Sequence, residues 1–404
     1  MSSNDLETLR RDVRAWLRAN LPKGWGTPEY VPPAPYSREA HELGKAWTKK
    51  LYDAGYTAFN YPKEYGGIER PREEIAVITQ EMARTGTPGG PLSLGLLVAA
   101  PAILVHGEEW QKKRFIPKIL CGEEAWCEGF SEPDAGSDLA NVQTSAVKDG
   151  DEWVVNGQKV WTSMWEFADW GLLVVKTEPN APRHRNLSYF LFDTSSPGFS
   201  RRPLRQMSGE AEFGEMFFDN MRIPHKNMMG GQGQGWYVAM TALAAERSGG
   251  GTGFVAGASS MGGLGTSDLA GADVLVELAK KTKRYGKSVW EESAFRQRIM
   301  QIAIEFEALR WSGTRLLAKM QAGTPFGNEA SVLKNFQAEM RQRRGDLTCD
   351  ILGAYSQMVR GSTHAIDEGD HVYNMLRARG ATIEMGTSEI NRNIIAERIL
   401  GLPR

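Results

Sequence analysis

"EWVVNGQKVWTS", residues 152–163, decides the fold class. It holds two short runs of β-branched and aromatic residues, the types that fit a pleated, half-buried surface. Asn156-Gly157 lies between the runs. That dipeptide tolerates the positive φ of a type I′ turn, so the stretch predicts a β-hairpin turning there. The same texture continues in "WGLLVVKTE" (170–178), "LSYFLFDT" (187–194) and "EMFFDNMRIP" (215–224), with Ser196-Pro197-Gly198 as a turn between strands. Several short strands at this spacing predict a small β-barrel or sandwich.

The flanks on both sides are helical. Leu6, Leu9, Val13, Trp16 and Leu17 recur at the period of one helix face, and "PREEIAVITQEMART" (71–85) places Pro71 and acidic residues at a helix start. Beyond the loop "GGQGQGW" (230–236), Ile302, Phe306, Leu309, Leu316 and Met320 share one face. Leu333, Phe336, Met340, Leu347, Ile351, Tyr355 and Met358 share another. The expected class is α+β: an N-terminal helical domain (1–125), a middle β-barrel domain (126–232) and a C-terminal helical bundle (233–404). A β-domain set between helical blocks leaves a seam on each side, where ligand clefts form.

Composition excludes several classes. A net charge of −1 over 404 residues gives no basic face for nucleic acid. Three cysteines without metal-type spacing fit a reducing compartment. The N-terminal stretch has no apolar core of a signal peptide, and the apolar run 91–105 is short and broken by Pro101. A cytoplasmic protein without membrane insertion is expected. Six scattered histidines include no close metal-binding pair, though His364 and His371 are spaced to share a helix face, so no metal is expected. "GGGTGFVAGASSMGG" (249–263) follows no strand, and its small residues favour close helix packing over phosphate binding.

Two polar pieces carry the chemistry. "FSEPDAGSD" (130–138) offers hydroxyls and turn N–H groups suited to a heteroaromatic edge or a thioester tail; alone, it reads equally as a solvated loop. "VWTS" (160–163) presents Trp161, then Thr162 and Ser163. The indole suits the face of a planar cofactor and the hydroxyls its edge, or Trp161 is core.

"FSEPDAGSDLANVQTSA", "WVVNGQKVWTS", "RIP", "ERSGGG" and "GTSEINRNIIAERILG" follow one another in this order, and together the chain resembles the acyl-CoA dehydrogenases over nearly its whole length. The resemblance implies noncovalent FAD between the β-domain and the C-terminal bundle. It implies conversion of an acyl-CoA to a 2,3-enoyl-CoA, a carboxylate taking the α-proton and the flavin the β-hydride. Phe130 and Ser131 then fall at the flavin ring, Trp161 over its face, and Thr162 and Ser163 at its edge. Ser137 falls where flavin and acyl-CoA meet, and Thr387 and Glu389 near the other half of FAD.

In many members the residue before the C-terminal Gly-Thr turn is the catalytic glutamate, whose N–H also binds the thioester oxygen. Here it is Met385, which keeps only the N–H. Other members carry the base on the first long helix of the C-terminal domain, just before an arginine. That registration assigns Glu246 as base and Arg247 as a substrate-side partner, with Glu384 as the alternative base. The family's Arg-x-x-Phe-Gly is matched by "TKRYG" (282–286), with Thr282 in the arginine's place and Arg284 nearby. Electron-transfer flavoprotein is the implied electron acceptor and lipid catabolism by β-oxidation the implied setting. The implied assembly is a homo-tetramer, a homo-dimer or a two-gene heterotetramer. An acyl-CoA oxidase or flavin monooxygenase on the same scaffold is the alternative enzyme, and a partner subunit of a heteromer the alternative of another class.

Overall fold

A computed structural model describes residues 3–27, 29–34, 36–59, 61–88, 94–256, 272–321 and 327–403. Two compact units emerge, one built on Met1–Arg205 and Ala211–Gly249, the other on Gln206–Glu210 and Gly263–Arg404.

The first unit begins with helices α1 (Ser3–Asn20), α2 (Arg38–Asp53) and α3 (Arg72–Thr85), the first and third where periodicity predicts them. Val13 and Leu17 of α1 are buried with Trp47 of α2 and Ile78 of α3. Glu81 is sealed beneath this helix pair and accepts from Arg10 (2.7 Å), Arg14 (2.6 Å) and Arg84 (3.1 Å). These hydrogen bonds, Arg14 foremost, hold its carboxyl at about 2, well below the usual 4.5. A depressed folded-state pKa contributes stability above the unfolded value and loses it as pH falls towards the folded one. The stability gap between wild type and Glu81→Gln is therefore expected to be full at pH 6 and to close between about pH 4.5 and pH 2. Urea midpoints across that range check it.

Helices α4 (Ala100–His106) and α5 (Glu109–Leu120) lead into the sheet. Its strands are β1 (Trp126–Gly129), β2 (Ser145–Asp149), β3 (Glu152–Ser163), β4 (Trp170–Lys176), β5 (Leu187–Asp193), β6 (Phe199–Leu204), β7 (Phe213–Pro224) and β8 (Met228–Met229). They pair in the order β6-β7-β3-β2-β4-β5-β8, with β1 beside β4. Across the interior, Phe192 of β5 and Phe199 of the end strand β6 lie 5.3 Å apart by ring centroid. The sheet thus curls into a barrel around Trp153, Val155, Phe190, Phe192, Met216 and Phe218. Its outer face shares a second core with α4, α5 and helix α6 (Gly235–Ala256), whose Val238, Ala239 and Ala242 are buried there.

The hairpin differs from expectation. Residues 152–163 form one strand, and the turn is Gly150-Asp151, with Gly150 at φ +62°. Asn156-Gly157 is a bulge, marked by a register shift between Val155 and Gly157 against β7. Gly157 is needed for close approach, since a Cβ there would stand 2.5 Å from Thr144 Oγ1. Both Gly-Asp and Asn-Gly suit a two-residue turn. The backbone register of β2 with β3, from Ser145 opposite Asn156 to Asp149 opposite Glu152, places the turn at the former.

The second unit holds α7 (Ala272–Lys281), α8 (Ser293–Gln321), α9 (Glu329–Leu352), α10 (Asp370–Ala381) and α11 (Ser388–Ile394). Leu275, Leu278, Ile299, Ile302, Leu347 and Ile351 form one core, and Leu309, Leu316, Leu333 and Met340 another. Helix α9 stops at Leu352 before Gly353, whose φ of +60° and ψ of −125° no helix adopts. Tyr355 and Met358 therefore leave the predicted face, and Tyr355 is exposed. His364 lies in a turn and His371 on α10, so they share no helix face. Of the glycine-rich stretch 249–263, residues 249–256 continue α6, and residues 257–263 lie outside the described residues.

Candidate active site

The loop 130–138 and the strand 152–163 are joined by a buried ion pair. Lys159 is fully enclosed, and its Nζ donates to the Phe130 carbonyl (3.0 Å) and to Glu132 Oε1 (2.8 Å). Glu132 also accepts the backbone N–H groups of Gln143 (2.6 Å) and Thr144 (2.9 Å). Burial pulls the ammonium down to about 8, still protonated at neutral pH. Burial pushes the Glu132 carboxyl up, but the Lys159 charge and the N–H donors outweigh it and leave it below its usual value. The Val160 N–H then donates to the Ser131 carbonyl (2.9 Å). Phe130 and Ser131 are thereby fixed beside Trp161.

Trp161 breaks the strand pattern. Its φ is +60°, a region that costs a non-glycine residue about 1–3 kcal/mol. The register of β3 with β7 shifts there, between Lys159 and Thr162. The indole is 56% exposed, braced edge-on against Phe213 (5.8 Å, 78°). Thr162 beside it is buried, its Oγ1 without a hydrogen-bond partner among the described residues. Ser163 is half-buried and Ser137 exposed. An outward-held aromatic face, a neighbouring orphaned hydroxyl and a clamped polar loop fit a planar heteroaromatic ring.

Glu246 lies on α6, one turn beyond Ala242 on the stripe that enters the first unit's outer core, and is half-buried. Arg247 follows on the helix, but its side chain lies outside the described residues. A surface groove lined by Trp110, Arg114, Trp170, Met221 and Lys226 touches none of the predicted site residues.

In the second unit the turn 382–387 is held from below. Lys334 Nζ (2.6 Å) and Asn391 Nδ2 (2.8 Å) donate to the Gly386 carbonyl, and Thr387 caps α11 by accepting from the Ile390 N–H (3.2 Å). Met385 takes φ +54° and Gly386 +87°. The Met385 N–H finds no acceptor among the described residues. Glu384 is engaged otherwise, accepting from the buried Arg377 (2.9 Å). Glu389 is exposed in the first turn of α11. Its carboxyl lies below the usual value, held there by the helix N–H at its own position and by the Thr387 hydroxyl. Arg284 sits in a tight hairpin, donates to the Asp350 carbonyl and lies over the Phe295 ring (4.9 Å), while Thr282 is buried.

Lys159, Lys334 and Asn391 escaped the sequence reading. A lysine in the inward phase of a strand was the available signal for the first. Lys334 and Asn391 sit on ordinary-looking helices and gave none.

Family models for the acyl-CoA dehydrogenase N-terminal, middle and C-terminal domains match residues 3–123, 127–221 and 233–400. The chain belongs to the acyl-CoA dehydrogenases, FAD-dependent oxidoreductases that act on acyl-CoA. Among curated relatives, acyl-CoA dehydrogenase IpdE1 of Mycobacterium tuberculosis is 35% identical over 414 residues, covering 99% of this chain and 98% of the relative. FadE26 of the same organism is 32% identical, covering 98% and 97%. Among solved structures, the Tcur3481-Tcur3483 steroid ACAD aligns with a TM-score of 0.78 at 27% identity, covering 100% and 99%. The ChsE4-ChsE5 complex from Mycobacterium tuberculosis aligns at 0.76 and 31%, with the same coverage.

Proposed function

We propose that this chain dehydrogenates an acyl-CoA thioester to the trans-2-enoyl-CoA with Glu246 as the base. The observation that carries the reading is the state of the three acidic or former acidic candidates. Glu246 stands on a half-buried stripe, Glu384 is spent on Arg377, and Met385 has no acid. Phe130, Ser131, Trp161, Thr162 and Ser163 would hold the flavin ring, with Ser137 at its substrate side and Thr387 and Glu389 towards the rest of FAD. Bound FAD supplies the hydride acceptor for the β-carbon. Glu246 removes the α-proton, which is acidic enough only while the thioester oxygen is hydrogen-bonded. The unpartnered Met385 N–H is suited to that donation. Arg247 is read as a partner to substrate.

Met385→Ala should test that the thioether side chain takes no part. Removing a true oxyanion donor costs about 10²–10³ in rate. Alanine keeps the N–H, so stopped-flow bleaching of the flavin by substrate should slow less than about tenfold.

A ring-bearing or branched acyl group is the substrate class we favour, since solved relatives include a steroid ACAD. Those relatives also include a complex of two named chains, which supports a catalytic subunit in a paired heteromer, with a homo-oligomer as the alternative assembly. Electron-transfer flavoprotein is the proposed acceptor, and the cytoplasm the proposed location. Among the described residues no helix is long and apolar enough to cross a membrane. Anaerobic bleaching of the purified flavoprotein by straight, branched and cyclic acyl-CoAs tests the substrate class. A straight short chain reacting best would overturn it.

A further inference from the structure

Lys334 of α9 is only 6% exposed, and it forms no ion pair among the described residues. Its Nζ is spent on one backbone oxygen, the Gly386 carbonyl, at 2.6 Å. That carbonyl also accepts from Nδ2 of the fully buried Asn391 of α11, at 2.8 Å. The oxygen therefore needs no lysine to be satisfied. Burying an ammonium without a paired carboxylate is costly, and a neutral side chain would avoid the cost. Burial lowers this ammonium, while the more distant Glu384 and Glu389 charges oppose the shift. A charge kept there at such a cost points to the turn it supports.

Other parts of that turn are tied down too. Glu384 accepts from Arg377 of α10 (2.9 Å), and the Thr382 hydroxyl accepts from Gln342 of α9 (2.8 Å). The Ser388 N–H donates to the Thr382 carbonyl (2.9 Å), and Thr387 caps α11. Met385 and Gly386 take φ of +54° and +87°, a conformation strained for the methionine. Amid these ties the Met385 N–H meets no acceptor among the described residues. A strained residue with a free donor, held on both sides, is preorganised for an incoming oxygen.

We infer that Lys334 is a positioning residue for the dehydrogenation: with Asn391 it clamps the Gly386 carbonyl, aims the Met385 N–H at the thioester oxygen, and sets a fixed positive charge behind the turn where enolate charge develops. This rests on the Met385 N–H being the donor to that oxygen. The ammonium neither touches substrate nor passes a proton. Its charge is in place beforehand, so nothing need reorganise as the α-proton leaves. Asn391 supplies direction without charge, and Lys334 supplies both.

Isotope-edited infrared spectra of the intact flavoprotein test the clamp without turnover. The probe is the 2-enoyl-CoA of whichever acyl-CoA bleaches the wild type fastest, with carbon-13 at the thioester carbonyl. On binding to wild type, its C=O band should fall below that of the free thioester. Lys334→Met keeps the stem but removes the charge and the donor, and should lose most of that fall. Its limiting bleaching rate should drop about ten- to hundredfold, part of the 10²–10³ that a lost oxyanion donor costs. The acyl-CoA concentration giving half the limiting rate should move less than about threefold, because the loss falls mainly on the transition state. Asn391→Ala removes the other donor, leaves the charge, and should reduce the band shift by less. If Lys334→Met lowers only the urea midpoint, with band shift and limiting rate unchanged, Lys334 serves the fold alone and the proposal is overturned. If Lys334→Met does not fold, an unmoved band in Asn391→Ala overturns it. A wild type that leaves the band at its free position fails the Met385 reading itself, whereas a wild-type shift that survives in Lys334→Met fails the clamp alone.

Discussion

Glu246→Gln should slow bleaching of the bound flavin by acyl-CoA about a thousandfold, while FAD content and the folding midpoint stay at wild-type values. A positioned general base contributes about 10²–10⁴ in rate. The amide fills the same volume on the α6 stripe, so packing is preserved and only the proton-accepting oxygen is lost. Glu384→Gln gives the contrast. Its carboxylate serves the buried Arg377, so the loss should be in stability, with bleaching reduced less than tenfold. Stopped-flow absorbance on the two variants separates the assignments. Should Glu384→Gln be the inert one, the base has been misassigned.

Lys159→Met should destabilise the protein by about 3–5 kcal/mol, the cost of leaving one member of a buried ion pair without its partner. Lys159 is fully enclosed and Glu132 nearly so. Methionine matches the stem of lysine, so little of the loss is cavity. The stranded Glu132 charge accounts for most of it. The double variant Lys159→Met with Glu132→Gln should recover part of the stability, because no charge is left buried and the amide oxygen still accepts one of the two N–H groups, of Gln143 and Thr144, that the carboxylate oxygens take separately. FAD affinity should fall in both variants, since Lys159 also holds the Phe130 carbonyl that sets the flavin-side loop. Urea midpoints of the two variants check the stability, and flavin fluorescence on dilution checks the binding. Equal destabilisation by the single and double changes would contradict the ion-pair account.

The clamp also shows why two separated motifs occur together. "FSEPDAGSD" supplies Glu132 and "NGQKVWTS" supplies Lys159, and neither buried charge is tolerable without the other. Motif order and strand texture were legible because hydrophobic period and turn chemistry are local. The helix–barrel–helix succession followed from them, and so did the candidate residues 130–137 and 161–163. What was not legible depends on pairing across the chain. The hairpin moved from Asn156-Gly157 to Gly150-Asp151 because two turn dipeptides competed and strand register decided. The end of α9 at Gly353 was masked by an apolar spacing that happens to run on through Tyr355 and Met358.

The central claim is tested most directly by anaerobic titration of the purified wild-type flavoprotein with acyl-CoA thioesters, followed at the flavin absorbance, with the product identified by mass. Stoichiometric bleaching with loss of two hydrogens from the acyl chain, absent in Glu246→Gln, is the predicted result. A flavin that stays oxidised with every straight, branched and cyclic acyl-CoA, or a protein that binds no FAD when purified, would contradict it.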